Sequence, residues 1–561
     1  MKKDGFTLVE LLAVVTILSI LLLLVVPKIV NQLNNSKDEV NNATKKLIYA
    51  ATEKYIKDFN IDPKDTYCIP LEDLERDEYI SDTITDNNSG IDLKESKAVR
   101  LKYKENHGYS YELMTKKECN QEMGMLSEGL IPVAYDGDNW VVVSQTNKNG
   151  EWYDYDEQKW ANAVVLKQGI KKEIGDEVKV DGTEATMMYV WIPRYEYKYT
   201  NLGNQYAGGT QAQPGEIEIN FVSKETTIPS SDDYKVHPAF TFGTEEKSGM
   251  WVGKFELSHT TKSQGTEKSN EAYNAANLNC TDENCIETQY LRILPNVPSL
   301  RYNTVSNFFY AIKGIASTFG LGSADIHMMK NSEWGAVAYL SQSKYGKYGN
   351  VDYENKYKEV YQNKSANYIT GKSNVTSSQS GSSNGDLCEY NDMQELGVDE
   401  NNYKMGQCGP GASTTGNIYG VYDMSGGTYE VVMGVYVYTN GIYSGYNTLN
   451  NSGFNGWLSN NGTPTEKIDG VSLPDLKYYD IYMTNTATTA CGDNEICYGH
   501  ALSETSGWYG DLANMLTANY PWFERGGEHE MYIDNMAGVF CFAITSGSVI
   551  SGSTRVVGFS K

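Results

Sequence analysis

Met1-Lys2-Lys3-Asp4-Gly5-Phe6-Thr7-Leu8-Val9-Glu10 opens the chain and decides its first architectural element. Two lysines lead to a glycine, and an apolar run starts at Phe6. From Phe6 to Val26 the one charge is Glu10. A run of this length crosses a bilayer as a helix. A carboxylate inside it costs several kcal/mol unless a partner neutralises it. A secretory signal peptide requires a small-residue cleavage site after the run, and Val25-Val26-Pro27-Lys28 stands there instead. A soluble core helix rarely stays apolar on all sides for so long. A plain signal anchor fits the hydropathy but leaves Gly5-Phe6 and Glu10 unexplained.

This arrangement resembles the processing signal of type IV pilins and pseudopilins. The resemblance implies cleavage after Gly5 by a prepilin peptidase, and N-methylation of the new terminus at Phe6. The freed amine lies one helical turn from Glu10. In a filament, Glu10 of one subunit then answers the Phe6 amine of its neighbour, a device suited to setting register. Asp4 departs from the pattern, where the leader is usually basic or small.

Beyond Pro27, which kinks a helix, Ile29, Val30, Leu33, Val40, Leu47 and Ile56 recur at helical spacings among Asn, Lys and Asp. Pilins carry a proline at this position, so the resemblance extends into the helix. Asn60-Ile61-Asp62-Pro63 stops it. The outer half is expected to be one-faced and to pack on a globular segment.

The 561 residues exceed one core and predict two or three domains. A net charge of -25 argues against nucleic acid as a partner and suits a self-repelling surface module. The 43 tyrosines and 52 glycines fit both adaptable binding surfaces and β-rich extracellular domains. An exported chain favours disulfides over metal. The cysteine spacing suggests local pairs: Cys68 with Cys119, Cys280 with Cys285, Cys388 with Cys408, and Cys491 with Cys497. Cys541 is left over, and its apolar neighbours mark it as a buried small residue.

From Gly129 the pattern turns to strands. They are expected at Leu130-Ile131-Pro132-Val133, Trp140-Val141-Val142-Val143, Trp152 to Asp156, Trp160 to Val165, and Met187 to Tyr197. The order of several later segments resembles the formylglycine-generating-enzyme (sulfatase-modifying) superfamily, whose fold is C-type-lectin-like. These are Gly249-Met250-Trp251-Val252-Gly253-Lys254-Phe255-Glu256, Asn331-Ser332-Glu333-Trp334, and Gly420-Val421-Tyr422-Asp423-Met424-Ser425-Gly426-Gly427-Thr428-Tyr429-Glu430. Arg525-Gly526-Gly527, Ala537-Gly538-Val539-Phe540 and Thr554-Arg555 follow. Gly427, Tyr429 and Thr554 stand where the family usually has Asn, Trp and Phe. The likeness covers about residues 187–561.

The oxidative members of that superfamily bind copper through a cysteine pair near the C-terminus, and this chain offers Cys541 alone there. His327, His500 and His529 have no ligand spacing. The expectation is a retained fold without catalysis and without a cofactor. Structural calcium on Asp136, Asp138, Asp154 and Asp156 is the weaker reading beside solvated strand ends. The superfamily also includes variable proteins diversified by retroelements, whose variable positions lie between the R-G-G and F-R elements. On that likeness the ligand-binding set is Trp522, Glu524, Glu528, His529, Glu530, Tyr532, Asp534 and Asn535. An ordinary solvated loop is the competing reading.

The fold class expected is α+β. Residues 1–60 form the leader and stem helix, 61–125 a small pilin-like segment, 126–186 a β-rich connecting segment, and 187–561 the C-type-lectin-like domain. The function expected is a minor pilin-like subunit at the cell surface, anchored in the membrane before assembly and displaying an adhesin-like head. Its partners would be other pilins, the peptidase, and a glycan or protein ligand. An exported formylglycine-generating-type enzyme on a pilin stem and a type II secretion pseudopilin are the alternatives. Glu10→Ala is expected to abolish incorporation into filaments while circular dichroism of the purified chain stays unchanged. Normal incorporation of the variant would remove the ion-pair argument.

Overall fold

The computed structural model describes residues 41–59, 67–81, 84, 92–93, 96–104, 108–115, 126–200, 214–263, 276–350, 357–374, 387–399, 402–436, 452–455, 457–458, 464–466, 471–482, 498–517, 520–529, 537–547 and 551–560. The chain divides into two compact units, Met1–Met123 and Gly124–Lys561. The architecture is α+β, mostly sheet with few helices.

In the first unit, helix α1 runs over residues 41–58. Ile48, Thr52, Tyr55 and Ile56 are its buried positions, one stripe at helical spacing. It ends beside Asn60, where the sequence predicts a stop, with Phe59 N still donating to Tyr55 O. Strand β1 (Tyr67–Pro70) leads directly into the short helix α2 (Leu71–Arg76). Strands β2 (Lys97–Lys104) and β3 (Gly108–Thr115) form a hairpin, and β1 pairs with the far edge of β2. The stripe of α1 shares a core with Ile69, Leu71, Leu74, Val99 and Leu101. The one-faced outer half expected of the stem is present here.

The second unit is built on an eight-stranded antiparallel sheet. Its strands are β4 (Leu130–Tyr135), β5 (Trp140–Val142), β6 (Asn162–Leu166), β7 (Glu177–Val178) and β8 (Ala185–Pro193). After an accessory sheet made by β9 (Tyr195–Thr200), β10 (Glu216–Phe221) and β11 (Lys235–Val236), the chain returns as β12 (Gly249–Gly253). Helix α3 (Val305–Lys313), strand β13 (Asp325–Met328) and helix α4 (Asn331–Ser341) follow. A second sheet joins β14 (Glu430–Tyr436), β15 (Asp480–Tyr482), β16 (Trp522–Arg525) and β17 (Phe542–Thr545) in the order β15-β14-β16-β17. The last strand, β18 (Val556–Phe559), enters the large sheet between β13 and β12, giving β13-β18-β12-β8-β6-β4-β5-β7.

Burial explains these elements. β8 is buried at every residue but Pro193, so both faces of the sheet are covered there. All residues of α4 are buried, its polar ends Asn331, Ser332, Glu333 and Ser341 included, which accounts for the apolar run Trp334 to Leu340 between them. Its first turn is closed by Glu333, whose carboxylate accepts from Lys330 N at 2.8 Å.

Two expectations are corrected. The segment 126–186 is no separate connector: β4 to β7 belong to the same sheet as β8 and β12, with Asn162 paired to Val190 and Val164 to Met188. A boundary at 186 therefore cuts through β8. Residues Trp152 to Asp156 form turns and not a strand. Asn147 Oδ1 accepts from the amides of Trp152 and Tyr153, and the Trp152 indole donates to Asn162 O at 2.8 Å. The aromatic pattern there reflects anchoring to the core, not strand pairing.

Gly335 of α4 is a point of close approach. A Cβ there would stand 1.9 Å from the carbonyl oxygen of Gly499. Gly335→Ala is therefore expected to destabilise this unit by about 3 kcal/mol, as overpacking against backbone does. Urea unfolding of the full chain measures it; a change near zero would show that the 498–505 segment yields freely.

Candidate functional site

The segments that carry the second resemblance meet at one buried charge. Arg555, on the approach to β18, donates through Nε to Glu430 Oε2 at 2.9 Å and through Nη2 to Glu430 Oε1. Its remaining donors go to the carbonyls of Gly253 at 2.8 Å and Tyr422 at 2.9 Å. Both charged residues are fully buried. Around the pair stand Asp423 and Glu256. Asp423 Oδ1 accepts from Asn363 Nδ2 and Gly371 N, and Glu256 bonds Thr428 N and Ser299 Oγ. Gly427 has a φ of 72°, and a side chain there would press on Glu256 Oε1. A larger residue at 427 would have to displace the Glu256 carboxylate.

Three buried carboxyls crowd around one guanidinium, which favours their protonated forms. Burial, then the Asp423 and Glu430 charges, push Glu256 well above the carboxylate range. Burial raises Asp423 against the pull of Arg555, and lifts Glu430 to about 7.

The Arg525-Gly526-Gly527 segment is anchored in the same manner. Arg525 is fully buried and donates to Asn331 Oδ1 and to Ala501 O. A side chain at Gly527, whose φ is 81°, would meet Ala537 Cβ at 2.5 Å. The two ends of the intervening stretch therefore touch. Of the expected ligand-binding residues, Glu530, Tyr532, Asp534 and Asn535 lie outside the described residues. Trp522, Glu524 and His529 are corrected: they are 0 %, 8 % and 7 % exposed and form an inner layer. Trp522 packs near Phe454, Glu524 is paired in the sheet to Val431 and Ala543, and His529 sits edge-on to Tyr368 at 4.5 Å. Glu528 is half-buried at the rim.

Sequence reading missed the residues that hold this rim. Tyr368 Oη donates to Glu528 Oε1 at 3.4 Å, Gln362 Nε2 donates to Glu528 O, and the Arg301 guanidinium lies 3.3 Å over the Tyr368 ring. They come from distant segments with no shared motif, so no spacing signal announces them.

The other candidates have structural partners. Cys541 is a buried free thiol, pushed up by burial and by Asp511, and so stays protonated. His327 Nε2 meets Glu333 at 3.1 Å; burial opposes its charge, but Glu333 and Asp325 hold it above the usual histidine range. His500 bonds Tyr482 Oη at 2.6 Å and is lowered by burial. Asp136 and Asp154 each accept two following backbone amides, as turn caps do. Disulfides join Cys280 to Cys285 and Cys388 to Cys408. Cys68 is disulfide-bonded, while Cys119, Cys491 and Cys497 lie outside the described residues. Gly5, Phe6 and Glu10 also lie outside them.

Glu504 ties the 498–505 segment to α4. Its Oε2 accepts from Tyr339 Oη at 2.5 Å, and Tyr339 shares a hydrogen bond with Tyr199 Oη. Burial pushes Glu504 up to about 7. A raised carboxyl binds its proton more tightly folded than unfolded. Its stabilising contribution is therefore complete at acid pH and is lost as pH rises through about 7. Between about pH 5 and about pH 8, the loss of unfolding free energy is expected to be about 2 kcal/mol smaller in Glu504→Gln than in the parent chain. Denaturant titrations across that range measure it; identical profiles would show that Glu504 does not titrate with folding.

Among the described residues, no helix is long and apolar enough to cross a membrane; residues 1–40 lie outside that search. No curated protein matches the chain. The prokaryotic N-terminal methylation motif matches residues 1–26. The motif implies processing by a prepilin peptidase, membrane anchoring, assembly with other pilins and exposure at the surface. The chain thus carries a type IV pilin-like N-terminal stem.

Proposed function

We propose that this chain is a minor pilin-like subunit whose second unit is a C-type-lectin-like head that binds a surface ligand without catalysis. The methylation motif at residues 1–26 carries the pilin half of this reading. The head half is supported by the Arg555–Glu430 pair, where three of the segments resembling the formylglycine-generating superfamily converge. The last strand lying inside the large sheet, beside β12, supports it too. A unit spanning Gly124–Lys561 is too bulky to repeat at every position of a close-packed filament, which favours the tip.

The ligand surface in this reading is carried by Glu528 with Glu530, Tyr532, Asp534 and Asn535. Trp522, Glu524 and His529 are buried and are left out of it. The enzyme alternative fares worse, because Cys541 is buried and its thiol is held protonated. A pseudopilin that pushes cargo remains the competing class, and ligand binding separates the two.

The test has two arms. Mass spectrometry of filament-associated protein is expected to place the mature terminus at a methylated Phe6; an intact Met1 would end the pilin reading. A glycan and protein binding screen with the purified chain is expected to yield a ligand whose affinity falls about tenfold in Glu528→Ala, as loss of a central contact does. A processed protein that binds nothing would favour the pseudopilin.

A further inference from the structure

The Cys388–Cys408 disulfide closes a narrow ribbon. Leu396 N donates to Gly406 O and Met405 N to Gly397 O, while Glu395 bridges Gln407 and Val398 bridges Lys404. Asp392 stands at the base. One of its carboxylate oxygens and the two cysteine sulfurs lie within 4.8 Å of one another. Asp392 is fixed there by three bonds of its own and a fourth made by its neighbour Gln394. Its amide donates to Glu389 O, its carbonyl accepts from Gly409 N, its Oδ1 accepts from Gln394 N, and Cys408 N ties down Gln394 O. Among the described residues no salt bridge uses this carboxylate. Cys388 and Cys408 are buried, at 6 % and 3 % exposure, whereas Asp392 is half-buried.

We propose that the reduced form of this ribbon binds a zinc-like thiophilic divalent cation through Cys388, Cys408 and Asp392, with water in the fourth position. Two thiolates and a carboxylate suit zinc. Thiolates on one tetrahedral zinc stand about 3.8 Å apart. The 5.7 Å Cα separation lets both sulfurs reach a single ion. The steps balance. A dithiol reductant gives two electrons and two protons to the S–S bond, becoming a disulfide itself, and the two cysteines become thiols. The cation then displaces both thiol protons to solvent. The ribbon stays closed in either state, by a covalent bond when oxidised and by the ion when reduced. The inference is independent of what the head binds.

The test is equilibrium dialysis of the full chain in detergent against zinc, oxidised and then reduced by a phosphine under argon. The reduced parent is expected to take up one zinc more than the reduced Cys388→Ser/Cys408→Ser variant, and the oxidised parent is expected to show no such difference. Asp392→Asn, which keeps both cysteines and forms the disulfide before reduction, is expected to weaken uptake by the reduced chain on the order of tenfold. Equal uptake by the reduced parent and the double-serine variant would overturn the proposal. So would unchanged affinity in Asp392→Asn.

Discussion

Arg555 is the constraint on which the second unit depends. Its guanidinium donates to Gly253 in one stretch of chain and to Tyr422 and Glu430 in another, and so ties both to the last strand. One side chain thereby fixes where β18 enters the large sheet and where β14 begins the second. Removing either member of such a buried pair leaves an uncompensated charge, which costs about 3–5 kcal/mol. The pair need not add net stability over an apolar substitute. Its effect is specificity: an arrangement in which β18 slips by one residue cannot satisfy the guanidinium.

The same logic repeats at Arg525, whose donors reach Asn331 at the start of α4 and the carbonyl of Ala501. The helix is fixed in turn by the Gly335 contact with the Gly499 carbonyl and by Tyr339 with Glu504. Buried charged groups at the strand ends, Glu430 and Arg525 among them, thus mark the joints between elements. Several of those joints hold protons near neutrality, since Glu504 and Glu430 both lie near 7. The joints, more than the sheets, are where pH acts on this fold.

How much of this was legible in sequence depended on the range of the interaction. Local signals read well: the end of α1 at residue 58, just before the predicted stop, the strands at Leu130, Trp140 and Met187, and the Cys280–Cys285 and Cys388–Cys408 pairs. The Gly420–Glu430 and Thr554-Arg555 motifs were visible as patterns, but the bond between Glu430 and Arg555 was not, because nothing local encodes it. Trp522, Glu524 and His529 failed for a related reason. A strand of mixed chemistry suggests one wet face, yet β16 lies between β14 and β17 and is buried along its length. The boundary at 186 follows the start of the superfamily likeness, which does not register that β6 and β8 pair in one sheet.

That misreading sharpens the case for recognition. If Trp522 or Glu524 contacted a ligand, every change of specificity would disturb the second sheet. Their burial separates the two duties. Arg525 and the Gly527–Ala537 contact hold one side of the stretch and β17 the other. A frame held by buried charges at its ends tolerates substitution in the span between them, because packing and charge satisfaction are met elsewhere. Under the proposed reading, that division lets one head keep its fold while its binding residues change.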